Sequence, residues 1–203
     1  MKCSIELIEL TKKYGGRHIL DRVNLSLDSG HIYILVGKNG SGKSTLFNII
    51  SGYDQDYSGR VELHGKLVSY LLQNDMLFRN LTVRENFALQ AAAIHKEEGA
   101  EWIEHVSREL ELQAFLDRKI SELSGGEKKK VSIGQIMLKD TDIVLLDEPT
   151  ANIQKEYARE LMKTIFHAFQ DKILIISSHD DLFEYGDKVV RLELKDGKIN
   201  GNI

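Results

Sequence analysis

Cysteine is nearly absent from this 203-residue chain. The lone thiol, Cys3, has no internal partner, so no disulfide framework holds the fold, which suits a reducing cytosol. The lack of further cysteines also leaves no zinc ligand set of the usual kind. Long apolar runs are missing too. None approaches the roughly 20 residues of a membrane-spanning helix. The N-terminus has no apolar secretion segment, because Ser4 to Leu10 reads as a strand. Nor is there an excess of positive charge. Against 31 acidic residues stand 27 Lys and Arg, for a formal net charge of −4, which gives no electrostatic reason to expect nucleic acid. No low-complexity stretch and no internal repeat stands out. What remains is 42% hydrophobic and 29% charged residues, the make-up of a globular protein. The length predicts one domain with a substantial core.

The most informative positive feature is Gly37-Lys38-Asn39-Gly40-Ser41-Gly42-Lys43-Ser44-Thr45. It fits the pattern G-x-x-x-x-G-K-[ST]. It lies between an apolar run, Ile32 to Val36, that reads as a buried strand, and Leu46 to Ile50, which reads as a helix start. Glycines let the backbone close around an anion, and the helix N-terminus adds partial positive charge. The pattern predicts that Lys43 reaches the outer phosphates of a nucleotide and that Ser44 ligates Mg²⁺.

A second cluster follows. Leu123-Ser124-Gly125-Gly126-Glu127 precedes Asp142-Ile143-Val144-Leu145-Leu146-Asp147-Glu148-Pro149-Thr150. The first resembles the L-S-G-G-Q signature of ATP-binding-cassette (ABC) ATPases, and the second resembles their Walker B strand with its trailing glutamate. Tyr14 matches the family's adenine-stacking aromatic, Gln73 its Q-loop glutamine and His179 its switch histidine. The resemblance runs from about Ile5 to Leu194. It implies an α/β fold: a P-loop NTPase of ABC type, with a mixed sheet core, an antiparallel β subdomain and a helical subdomain. The expected division of residues 1–203 is a core and β subdomain at about 1–76 and 135–203, with the helical subdomain at about 77–134.

Periodicity fills in the elements. Val23, Leu25 and Leu27 alternate as in a half-buried strand. Arg60 to Leu63 and Leu67 to Leu72 read as two strands joined at His64-Gly65-Lys66, expected in the small antiparallel sheet. T-x-x-E at Thr82 to Glu85 predicts a capped helix start, and Ile103, Val106 and Leu110 mark a second helix. Between Gln73 and Ser124 there is no room for a long coiled coil. Ile143 to Leu146 and Ile173 to Ile176 read as parallel core strands. Between them Ala158, Leu161, Met162, Ile165, Phe166 and Phe169 mark a helix. Asp196-Gly197 closes a hairpin of Val189 to Leu194 with Lys198-Ile199. No C-terminal regulatory domain is expected.

Phosphoryl transfer to water needs charge neutralisation, a metal and an oriented water. Lys43 and the loop amides supply the charge. Ser44 and Asp147 are the candidate Mg²⁺ contacts, with Gln73 completing the shell, and Glu148 is the candidate for acting on the water. The resemblance implies that His179 holds the γ-phosphate and Glu148 in line. Ser124 to Glu127 forms a capping box, which explains the serine and glutamate but not two adjacent glycines; close approach of a ligand explains those. The family's dimers bring this helix end to the partner's ATP. Lys128-Lys129-Lys130 reads as a solvated helix face, with a partner or nucleotide contact as the alternative.

The implied function is ATP binding and hydrolysis that powers a membrane transporter through ATP-driven dimerisation. Leu77 to Asn86 resembles the corresponding region of peptide, lipoprotein and bacteriocin exporters. The implied partners are a permease on a separate chain and a second ABC subunit, with ATP and Mg²⁺ as cofactors and no nucleic acid. The implied location is cytoplasmic, peripheral on the inner face of the membrane. The alternative is a signalling or structural ABC ATPase with a non-transporting membrane partner. Leu77 and Phe78 are expected at an apolar groove for the permease, or else in the core of the helical part. The chain departs from the family in lacking arginines after the signature and in ending its D-loop, Ala151 to Gln154, in glutamine rather than aspartate.

Overall fold

Alternating apolar residues build the first layer. In β1 (Ser4–Tyr14) Ile5, Leu7 and Leu10 are buried, and in β2 (Arg17–Asp28) so are Leu20, Val23, Leu25 and Leu27. The computed structural model describes residues 3–65, 67–72, 77–94, 99–139, 141–151, 153–178 and 188–201. β1 pairs antiparallel with β2 on one side and with β4 (Ser58–Leu63) on the other, giving the order β2-β1-β4.

A second sheet has six strands in the order β5-β6-β7-β3-β8-β9. β3 (Ile32–Val36), β6 (Ile143–Asp147) and β7 (Ile173–Ser178) are buried along their whole length, as strands covered on both faces must be. β3, β6, β7 and β8 (Val189–Lys195) run parallel, and β9 (Lys198–Gly201) returns antiparallel. The sheet is therefore mixed. β5 (Val68–Leu71) corrects an expectation: it is not in the antiparallel sheet but at the edge of the six-stranded one. The Leu67 carbonyl accepts from the amides of Asp142 and Ile143 at 3.1 and 3.2 Å, which ties this segment to the start of β6.

Helix α1 (Lys43–Ile50) buries Leu46, Phe47, Ile49 and Ile50 in a core shared with Tyr33, Leu35, Leu145, Ile175 and the inner faces of β1 and β2. These elements belong to one compact unit, residues 1–70, 141–148 and 169–203.

The other unit, residues 71–140 and 149–168, is helical. It contains α2 (Val83–Ala92), α3 (Gly99–Glu109), α4 (Gly125–Met137) and α5 (Lys155–Ala168). Thr82 caps α2 with the predicted capping box: its Oγ1 accepts from the Glu85 amide at 3.1 Å and its own amide donates to Glu85 Oε2 at 2.7 Å. In α5 the buried set is Ala158, Leu161, Met162 and Ile165, the spacing read from the sequence. No helix among the described residues is long and apolar enough to cross a membrane.

Candidate functional site

The loop from Gly37 to Gly42 joins β3 to α1. Gly40 and Gly42 have φ of +75° and +110°, angles that glycine adopts without steric cost. Gly42 is the N-cap of α1 and makes no side-chain cap bond, which suits a helix start that receives an anion. Lys38, Asn39 and Gly40 form an exposed tip. The Ser41 amide donates to the Lys38 carbonyl at 3.0 Å, which closes the turn. Lys43 is buried, and its Nζ donates to the Gly37 carbonyl at 2.8 Å. Desolvation lowers its pKa, while the charges of Glu148 and Asp147 raise it. The ammonium therefore sits in a dry place held by loop carbonyls and facing two carboxylates.

Across the sheet, β6 ends at Asp147. Ser44 Oγ donates to Asp147 Oδ2 at 2.7 Å, and the Tyr70 hydroxyl donates to the same oxygen at 3.3 Å. Ser177 Oγ, at the end of β7, donates to Asp147 Oδ1 and accepts from the Glu148 amide at 2.9 Å. Asp147 is thus a buried carboxylate with both oxygens engaged. The Tyr70 hydroxyl has its pKa pushed up by burial and by the Asp147 charge, so it stays a donor. Glu148 has φ of +49°. A non-glycine residue there is strained, and such strain clusters at functional sites.

The predicted metal contacts Ser44 and Asp147 are brought together although 103 residues separate them in sequence. Glu148 follows directly. Gln73 and His179 lie outside the described residues, as does Asn152 of the D-loop. Ser177 and Tyr70 were missed. The signal for Ser177 was a small hydroxyl at the mouth of an apolar strand, one strand over from Asp147; nothing local marks Tyr70.

Tyr14 ends β1, and its side chain is about half exposed at 51%. It lies within hydrogen-bonding reach of Thr45, the last residue of the loop motif. Its hydroxyl donates to Asp54 Oδ2 at 3.0 Å.

In the helical unit, Ser124 caps α4. Its Oγ accepts from the Glu127 amide at 3.3 Å, and its amide donates to Glu127 Oε2 at 2.7 Å. Those bonds, the Ser124 amide first, lower the Glu127 pKa. The reading of the two glycines needs correction for one of them. A Cβ on Gly126 would lie 2.5 Å from the Tyr157 ring of α5, so packing within the unit demands that glycine. Gly125 has nothing within 4 Å of its Cβ position, which leaves it open to a ligand. Tyr157 has its hydroxyl pushed up to about 12, chiefly by burial. The expected solvated lysine face is also corrected. Lys129 is buried, and Lys130 bonds Glu111 Oε2 at 3.0 Å with its Nζ 5.6 Å from the Tyr157 ring centre. Lys130 packs against its own unit because Tyr157 of α5 and Glu111 cover that side of α4. Phe78 is 59% exposed, whereas Leu77 is partly buried. Asn86 holds the Phe78 backbone, accepting from its amide at 2.9 Å and donating to its carbonyl at 3.1 Å.

Comparison with known proteins gives one direction. The family profile described as ABC transporter matches residues 20–151. An ABC transporter ATP-binding protein of Methanocaldococcus jannaschii is 34% identical over 98% of this chain and 76% of its own length. A putative hemin import ATP-binding protein of Staphylococcus haemolyticus is 34% identical over 97% of this chain and 99% of its own. A lactose transport ATP-binding protein of Rhizobium radiobacter is 31% identical over 92% of this chain, which spans only 56% of that relative's length. Among solved structures, an ATP-binding cassette of an ABC transporter in its ADP conformation superposes with a TM-score of 0.82. It is 25% identical, and the match covers 98% of this chain and 90% of the other.

Proposed function

The chain belongs to the ABC transporter family, and from that premise we propose that it binds ATP, hydrolyses it and drives a membrane permease made by another chain. The observation that carries this reading is the Ser44–Asp147 contact of 2.7 Å. It brings the phosphate loop against the strand end whose next residue is Glu148. Lys43 and the first-turn amides of α1 neutralise the triphosphate. Lys43 leaves the Gly37 carbonyl for the outer phosphates, because an anion is a stronger partner for a desolvated ammonium than a carbonyl.

The hydroxyl of Ser44 and the carboxylate of Asp147 are hard oxygen donors that suit Mg²⁺. When bound, that ion supplies further charge neutralisation at the phosphates. Glu148 orients the attacking water and accepts its proton. Its left-handed backbone is paired through Ser177 to the same strand end, which limits its freedom. Gln73 and His179 are assigned to the metal shell and the γ-phosphate on motif order alone.

Turnover in this reading needs a second subunit. Gly125, open at the capped start of α4, suits approach by the partner's ATP. ATP then acts as the glue of the closed pair, and hydrolysis reopens it. The exposed Phe78 ring is a contact for the permease. We infer export of a peptide, lipoprotein or bacteriocin type from the run Leu77 to Asn86. Several relatives carry names that specify import, so vesicle transport with the permease encoded beside this chain decides direction.

The test of the site is Lys43→Ala. The folded variant should lose MgATP binding in calorimetry. Micromolar or tighter affinity retained by that variant would overturn the assignment.

A further inference from the structure

A buried cation supports the exposed aromatic beside the phosphate loop. Lys12 is only 2% exposed. Its Nζ donates to Asp54 Oδ1 at 2.9 Å, to Asp56 Oδ2 at 3.3 Å and to the Asp56 carbonyl. The same Nζ lies 4.9 Å from the centre of the Tyr14 ring, over its face. Asp54 is the hub. Its Oδ1 also accepts from the Asp56 amide at 3.0 Å, while its Oδ2 accepts from the Tyr14 hydroxyl at 3.0 Å. Lys12 and Tyr14 share one face of β1, two residues apart.

Asp54 is in turn fixed to the phosphate-binding helix. Its amide donates to the Asn48 carbonyl at 3.0 Å, after the last turn of α1. Asn48 stands one turn below Thr45 on the same side of the helix, and Thr45 is where the Tyr14 side chain reaches. The ring is therefore braced against α1, with its hydroxyl tied near Asn48 and a cation over one face. A half-exposed tyrosine with two free torsions would otherwise sample several rotamers. Each of them costs affinity when a ligand has to select one.

We propose that Lys12 and Asp54 are positioning residues that hold Tyr14 as a platform for the nucleobase. The pair sets affinity for the base half of the nucleotide and leaves the phosphate half untouched. The proposal rests on the reading of the phosphate loop as a nucleotide site. Because the hydroxyl is committed to Asp54, Tyr14 contributes its ring face and no polar contact to the base. The Lys12 ammonium draws on the same π-system, which strengthens stacking with an aromatic base on the other side.

The experiment is calorimetric titration of the full chain with MgATP and, separately, with magnesium tripolyphosphate, which lacks base and ribose. Wild type is compared with Tyr14→Phe, Asp54→Asn and the double variant. Tyr14→Phe removes one hydroxyl at a half-exposed position and leaves the fold intact. Each single variant should weaken MgATP about twofold to fivefold, a part of one aromatic stacking contact, because the ring stays but is no longer held in place. The double variant should be no weaker than the worse single one, and tripolyphosphate affinity should not change. Unaltered MgATP affinity in the variants overturns the proposal and leaves the nucleotide site standing. A parallel loss for both probes also overturns it, since the change then lies in the phosphate loop. If wild type binds neither probe, the nucleotide reading falls and this inference falls with it.

Discussion

Ser177 Oγ accepts the Glu148 amide at 2.9 Å while donating to Asp147 Oδ1. One hydroxyl on β7 thus fixes both acidic residues at the end of β6. The amide it satisfies belongs to a residue at φ +49°, one position past the end of β6. The strained backbone and the serine are two halves of one arrangement.

Ser177→Ala therefore removes one bond from the part-buried Glu148 amide and one from the buried Asp147 carboxylate. It should cost about 1–3 kcal/mol of stability. Because it frees Glu148 rather than the phosphate loop, turnover should fall more than MgATP affinity. Urea unfolding, calorimetry and a steady-state phosphate-release assay measure the three quantities. A turnover equal to wild type would mean that Ser177 serves the fold alone.

Glu148→Gln should retain MgATP binding and lose turnover. In size-exclusion chromatography with ATP it should accumulate as a dimer, while wild type stays mostly monomeric. Glu148→Gly should lose turnover as well, but it should raise the unfolding free energy by about 0.5–1 kcal/mol, since glycine relieves the left-handed strain. A lower stability for the glycine variant would show that the Glu148 side chain is itself a stabilising contact.

The cap on α4 gives a pH prediction. The Glu127 carboxylate is held below its ordinary pKa of 4.5, mainly by the Ser124 amide. A depressed folded value means that the stabilisation is present above 4.5 and is lost as pH falls through the lower folded value. Glutamine keeps an acceptor for the same amide but carries no titrating charge. Thermal midpoints measured from about pH 3 to pH 6 should therefore fall less steeply toward acid for Glu127→Gln than for wild type. Identical slopes would place the acid sensitivity elsewhere.

Gln154 is exposed, and its carbonyl accepts the first helical bond of α5, from the Ala158 amide at 2.8 Å. That makes it the N-cap of the helix, where aspartate is preferred and glutamine is not. Gln154→Asp should raise stability by about 0.5–1 kcal/mol through the cap and the helix dipole. It should also raise basal turnover of the isolated subunit several-fold if the charge acts at a dimer interface. Greater stability with unchanged turnover would confine residue 154 to capping.

Local features were legible before any coordinates. The phosphate loop, the capped starts at Thr82 and Ser124, and the buried runs around Asp147 and Ile175 are written in contiguous residues, because turn geometry, capping and periodicity act over a few positions. The placement of β5 was not legible. Val68 to Leu71 carries the same alternation as an antiparallel strand would, and only its pairing beside β6 distinguishes the two sheets. Lys128 to Lys130 read as solvated because nothing near them in sequence announces Tyr157 or Glu111.

By itself, then, the chain determined which residue types stand where phosphates, metal and water are handled, since these depend on motifs read within one strand–loop–helix or one strand end. The tertiary structure decided which of them meet and what steadies them. It brought Ser44 to Asp147, Ser177 to Glu148, Lys12 to Tyr14 through Asp54, and Tyr157 to Gly126. Each of those contacts joins separate segments of the chain. Their partners are chosen by strand order and helix packing, which bury distant residues together, and local sequence carries no record of that choice.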